Sequence, residues 1–262
     1  MTTAPTVRAE PILARRMPFD IPRDAAKAAL LVNHMYPGPA VEAFENDTIA
    51  VTVVNKMLST EAIIHWHGIH NVDTPWNDGV RGISQGPISP GANYTYKFLA
   101  YPPGTAYWHA HYNAMESDKG LKGPIVIKSR SDPHTGMYDE EMVVAMADEW
   151  QNPEVCLKVD GALPGNPVCA EVDKISYNGQ WGNGTSDYPW PTINVDSGKC
   201  YRMRWIGMTG QTQNLQMSIA GHNSTIVAYD GTDVQPLTVS QFNLHAGERV
   251  DAVLCADQPP GD

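Results

Sequence analysis

Four histidines of this chain come in two pairs, His65-Trp66-His67 and His109-Ala110-His111, about forty residues apart. On a β-strand, residues i and i+2 point to the same face, roughly 6.5 to 7 Å apart. Two such strands side by side would aim four imidazoles into one space. Neutral imidazole suits copper, zinc, iron and nickel, with a metal–nitrogen distance of about 2.0 to 2.1 Å for zinc. Two rings spaced that far apart on a rigid strand serve a single metal poorly, so each pair more naturally divides its rings between neighbouring metals. The spacing points to a cluster.

The elements that must position these rings read as strands. Residues 48–54 (TIAVTVV) alternate and are β-branched, and residues 62–64 lead straight into the first pair. Residues 94–98 (YTYKF) and 105–107 lead into the second, while Gly68, Pro102, Pro103, Gly104 and Gly120 punctuate the runs. A single His-X-His in a strand is as often a core or surface feature as a ligand pair. Two in one strand-rich segment favour ligation.

HWHG at 65–68 and WHAH at 108–111, preceded by NHMYPGP at 33–39 and followed by GLKGP at 120–124, resemble the first domain of the multicopper oxidases, the laccase-like blue copper family. The likeness runs in order from about residue 30 to the end of the chain. It implies that His65 ligates a type 2 copper and that His67, His109 and His111 ligate a type 3 copper pair. Asp78 lies between the pairs in Asn-Asp-Gly, and by its own chemistry it is a turn residue, since Asp-Gly is a common turn pair. The resemblance instead makes it an acid hydrogen-bonded through water to the type 2 copper, managing protons during oxygen reduction.

Length and composition agree with an all-β chain. The 262 residues can form two domains of about 130, each large enough for its own core. With 21 Pro and 22 Gly spread throughout, short strands and many turns are favoured. A net charge of −11 argues against nucleic acid and acidic membrane surfaces as partners. No apolar run approaches the roughly 18 residues of a membrane span. The first twenty residues lack the apolar core of a secretory signal. Four cysteines and the sequons at Asn46, Asn93, Asn183 and Asn223 nonetheless suit an oxidising, extracellular setting.

We therefore expect two tandem cupredoxin-like Greek-key β-sandwiches: an N-terminal arm over 1–28, domain 1 over 29–130, a linker over 131–138, and domain 2 over 139–262. His34, His70 and His134 are expected to face solvent. His222 and His245 have no histidine partner at metal spacing and are read as structural. Cys200 and Cys255 sit on strands that could be neighbours, while Cys156 and Cys169 bracket one loop, so pairings 156–169 and 200–255 are favoured, although sequence cannot fix connectivity.

The sequence also departs from the family it resembles. Complete members have a third domain with His-X-X-His-X-His and His-Cys-His motifs, and neither occurs here. The expectation is a fragment or truncated gene model whose second sandwich lacks its last strand and whose partner is the missing C-terminal cupredoxin domain. Ser117 replaces a family cysteine and Lys119 is inserted beside it, which removes an inter-domain disulfide. Thr212 stands where fungal laccases bind the phenol with an aspartate. The implied activity couples one-electron oxidation of a small-molecule or metal-ion donor to four-electron reduction of dioxygen to water, with half of the type 2 and type 3 copper ligands here and the chain inactive alone. The rivals are a copper- or zinc-binding module without turnover and an inactive secreted β-sandwich.

Overall fold

The computed structural model describes residues 6–8, 12–18, 28–112, 117, 120–149, 174–209 and 214–259. The expected Cys156–Cys169 pair, Lys119 and Thr212 lie outside these residues.

Domain 1 contains strands β1 (Thr6–Arg8), β2 (Ile12–Pro18), β3 (Ala28–Val32), β4 (Val41–Phe44), β5 (Thr48–Asn55), β6 (Ile64–His67), β7 (Asn93–Leu99), β8 (Gly104–Ala110) and β9 (Lys122–Lys128). They form two sheets, one in the order β1-β5-β2-β3 with β7 on β5, the other in the order β4-β9-β8-β6. Alternation drives the packing: Ile49, Val51 and Val53 of β5 are almost fully buried, while the residues between them are half-buried. These side chains meet Trp66, Trp108, Tyr96 and Phe98 in one core between the sheets. Part of the segment expected as an arm joins the first sheet: β1 pairs parallel with β5, and β2 lies between β5 and β3.

Domain 2 contains β10 (Glu140–Glu149), β11 (Lys174–Tyr177), β12 (Cys200–Gly207), β13 (Asn214–Met217), β14 (Ser224–Tyr229), β15 (Thr232–Val239), β16 (Phe242–His245) and β17 (Arg249–Cys255). Its main sheet runs β11-β10-β12-β17-β14-β15, and β13 and β16 form a separate ribbon. The register sets Cys200 opposite Cys255, and the two form a disulfide as the sequence suggested.

The two domains meet along one face of β8. Thr105 and Tyr107 point out of domain 1, and Arg202, Arg204, Ile206 and Met208 share the facing parity on and just beyond β12. Tyr107 packs with Ala145, Ile206 and Met208. The Thr105 hydroxyl donates to Asp251 Oδ1 at 2.6 Å and accepts from Arg204 Nη1 at 2.9 Å. Asp251 Oδ2 also accepts from Arg202 Nη2 at 2.7 Å and Arg204 Nη1 at 2.8 Å, so these buried charges are mutually satisfied. Lys122, fully buried, donates to the Met208 carbonyl at 2.9 Å across the same boundary.

Candidate metal centre

The sheet register decides where the four histidines point. β6 and β8 are antiparallel neighbours with His65 opposite His109 and Trp66 opposite Trp108. Both tryptophans are completely buried, and aiming them at the core obliges His65, His67, Tyr107 and His109 to the other face. A one-residue slip would exchange the sets, so the two indoles lock the register that the histidines need. His111 lies just past the end of β8, but its N–H donates to the Ile63 carbonyl at 2.9 Å, extending the pairing far enough to bring its ring in. From His65 the ring centroids of His67, His109 and His111 lie at 5.7, 5.4 and 5.3 Å. The ligand nitrogens of His65, His67 and His109 all fall within 4.8 Å of one another. The four rings thus share one space.

Hydrogen bonds set the tautomers. His65 Nδ1 lies 2.7 Å from the Asp78 carbonyl, and His109 Nδ1 lies 3.0 Å from the Ala110 carbonyl. A carbonyl only accepts, so each Nδ1 carries the proton and each Nε2 keeps a lone pair for a metal. The Asp78 carboxylate Oδ1 is also 3.3 Å from His65 Nδ1 and accepts from Asn71 Nδ2 at 3.3 Å. Asp78 caps a 3-10 turn, Pro75–Asn77, and the next residue explains why the turn is Asp-Gly. Gly79 has φ +80° and rests against the backbone of β6, where an added Cβ would collide with the Ile64 carbonyl.

Burial favours the neutral form of His65, His67 and His109. Desolvation lowers the pKa of His109 to about 3 and that of His67 to about 4, with the Arg249 guanidinium adding to the effect at His67. His65 is lowered too, again chiefly by burial, against the pull of its bond to the Asp78 carbonyl. Neutral imidazole is the ligating form. Tyr107 stacks on both His67 and His109, at centroid distances of 4.6 and 5.1 Å. Domain 2 closes the other side: a Cβ on Gly247 would lie 3.0 Å from His67 Cε1, and Arg249 donates to the Thr105 carbonyl at 3.0 Å while its guanidinium lies beneath Gly68.

Of the remaining histidines, His34, His70 and His245 are exposed and His222 is half-buried with Nδ1 2.9 Å from the Ala220 carbonyl. His134 departs from expectation. It is buried, because the Asp132 carboxylate caps its N–H at 2.9 Å and folds the linker back on domain 2. Tyr107 was within reach of sequence reasoning, since it shares the parity of His109 and His111. Arg249 and Gly247 were not, because nothing local ties them to a strand some 140 residues earlier.

An imidazole cluster on paired strands at the seam of two β-sandwiches is a donor set that could hold a metal ion. Residues 16–132 and 140–262 each match a family model described as multicopper oxidase. The chain is 34% identical over 244 residues to laccase-4 of Trametes villosa, covering 90% of this chain and 45% of that protein. It is 31% identical over 255 residues to the L-ascorbate oxidase of Brassica rapa subsp. pekinensis, covering 88% and 44%. Among solved structures it resembles the laccase from Botrytis aclada (TM-score 0.82, 25% identity, 98% of this chain and 48% of that one) and the blue copper oxidase from Nitrosomonas europaea (TM-score 0.81, 25% identity, 97% and 77%). The chain belongs to the multicopper oxidase family, laccase-like in kind. It spans less than half the length of these curated relatives.

Proposed function

We propose that the chain is the copper-binding part of an oxidase that couples one-electron oxidation of a small-molecule or metal-ion donor to reduction of dioxygen to water. The observation that carries this reading is the convergence of His65, His67, His109 and His111 in one space, with burial of His65, His67 and His109 favouring their neutral form. The donor set fits copper: several imidazole nitrogens, held by carbonyls that fix the tautomer. His65 is assigned to a type 2 site and His67, His109 and His111 to a type 3 pair. Bound copper supplies one-electron redox chemistry and a template for dioxygen. Around it the chain has three tasks. The Asp78 and Ala110 carbonyls orient His65 and His109; Tyr107 and the Gly247 turn cover the rings and keep water off them; the Asp78 carboxylate, 37% exposed beside His65, takes and returns protons. The exposed sequon asparagines Asn46, Asn93, Asn183 and Asn223 support a secreted protein. No helix of the described residues is long and apolar enough to cross a membrane.

The test is to express residues 1–262, load copper, and record copper content, visible absorption and oxygen uptake with a phenol and with ferrous iron. We expect copper that is lost on His109→Gln, without an intense blue band or sustained uptake, because no Cys adjoins a His to build a His₂Cys centre. Copper content indifferent to His109→Gln would refute the site. In an oxygen-consuming form, Asp78→Asn should slow dioxygen reduction more than donor oxidation; equal slowing would remove its assigned proton role.

A further inference from the structure

The linker meets the outer hairpin of domain 2 at a cavity of about 580 Å³, lined by five carboxylates and three cations. Gly104, the first residue of β8, is in its wall. The histidine cluster sits at the other end of that strand, roughly 20 Å away by strand rise. Most of the lining charge is already paired. Glu141 binds Arg204 at 3.0 Å, and Asp132 Oδ2 takes Arg202 at 3.0 Å and the Tyr138 hydroxyl at 2.5 Å.

One group beside the cavity is not satisfied. The His134 side chain is only 7% exposed, and its Nε2 is buried without a hydrogen-bond partner. It faces the carboxylate of Asp233, which lines the cavity, across 3.7 Å. That gap is too long for an N–H···O bond, which spans about 2.7 to 3.2 Å. It lies close to a different geometry. Two bonds of about 2.1 Å to one tetrahedral metal ion, about 110° apart, place their donor atoms about 3.4 Å apart. The backbone that carries the ring is fixed, because the His134 N–H is held by Asp132 Oδ1 at 2.9 Å and its carbonyl accepts from the Met137 N–H at 3.0 Å.

From this geometry we propose that His134 Nε2 and an Asp233 carboxylate oxygen bind a divalent transition metal of zinc type, with waters in the cavity completing its coordination. The imidazole and carboxylate donors suit such an ion. The ion would tie the linker to β15 and so brace the domain junction from the end opposite the histidine cluster. It is independent of the four-histidine site, and neither reading stands or falls with the other.

Zinc content after equilibrium dialysis tests the proposal in a background with His65, His67, His109 and His111 all changed to Gln. This protein should retain zinc, and adding either His134→Gln or Asp233→Asn should abolish that binding, together with the zinc-dependent rise in its unfolding midpoint. Asp233 is about half exposed, so its substitution leaves the fold intact. Zinc binding that is absent in the background, or unchanged by both substitutions, overturns the site. Should the fourfold background not fold, the same two substitutions in the native chain decide by whether one equivalent of zinc is lost.

Discussion

The paired strands β6 and β8 of domain 1 and the paired strands β12 and β17 of domain 2 solve the same problem with different residues. Each pair alternates, sending large apolar side chains inward and polar ones out. In domain 1 the inward set includes Trp66 and Trp108, and the outward set is His65, His67, Thr105, Tyr107 and His109. In domain 2 the inward set includes Met203 and Trp205, while Arg202, Arg204 and Asp251 face out. The histidines keep lone pairs to offer, whereas the arginines and the aspartate consume each other's bonding capacity. One outward face leaves imidazole lone pairs uncommitted and the other holds the domains together. The difference lies in whether the polar groups satisfy one another.

The largest expected effect comes from breaking the closed network. Asp251→Ala removes the buried carboxylate that Arg202 and Arg204 share, leaving them only Asp132 and Glu141, and should cost about 3 kcal/mol of stability by urea unfolding. Copper content per folded molecule should be unchanged. His109→Gln should do the converse, removing copper while shifting stability by less than about 1 kcal/mol. If both variants lost stability equally, the contrast between the two faces would fail.

Proton linkage sharpens it further. His67 and His109 have folded pKa values of about 4 and about 3, below the ordinary 6.5. As pH falls below about 6.5 the unfolded chain takes up protons that the folded rings refuse, so the unfolded state is favoured. Stability is therefore fully present above pH 6.5 and lost progressively as pH falls through about 4 and 3. Urea midpoints of the metal-free protein from pH 7 to 3 should show this slope, and His109→Gln should flatten it. Gly247→Ala combines φ +83° with a 3.0 Å approach to His67 and should cost about 1 kcal/mol, with a shifted His67 ring resonance. His70→Gln, on the exposed parity, should change neither copper content nor stability measurably.

Much of the fold was legible because strand patterns are local. The runs at 48–54 and 94–98 appear as β5 and β7, and the Cys200–Cys255 bridge follows from two strands that pair in register. The first twenty-eight residues were harder. A short strand such as β1 has no period of its own and is specified by the edge of β5 that receives it. His134 was misread for a related reason. A polar, turn-rich linker looks solvent-facing until the Asp132 cap and the packing of domain 2 bury it.

By itself the sequence determined that four imidazoles sit on strand positions of matching parity, because a period of two is a property of each strand alone, and that no cysteine adjoins a histidine. Only the tertiary structure decided that the parities converge. This required the antiparallel register of β6 against β8, locked by two buried indoles, and the extra pairing from His111 to Ile63. It also decided which nitrogen each of two rings presents, since the carbonyls of Asp78 and Ala110 choose the tautomer. The neutrality of the rings depends on it most of all. Desolvation comes from the chain segments that cover them, Gly247 of the second domain among them, and the Arg249 charge adds to it at His67; no local pattern encodes that.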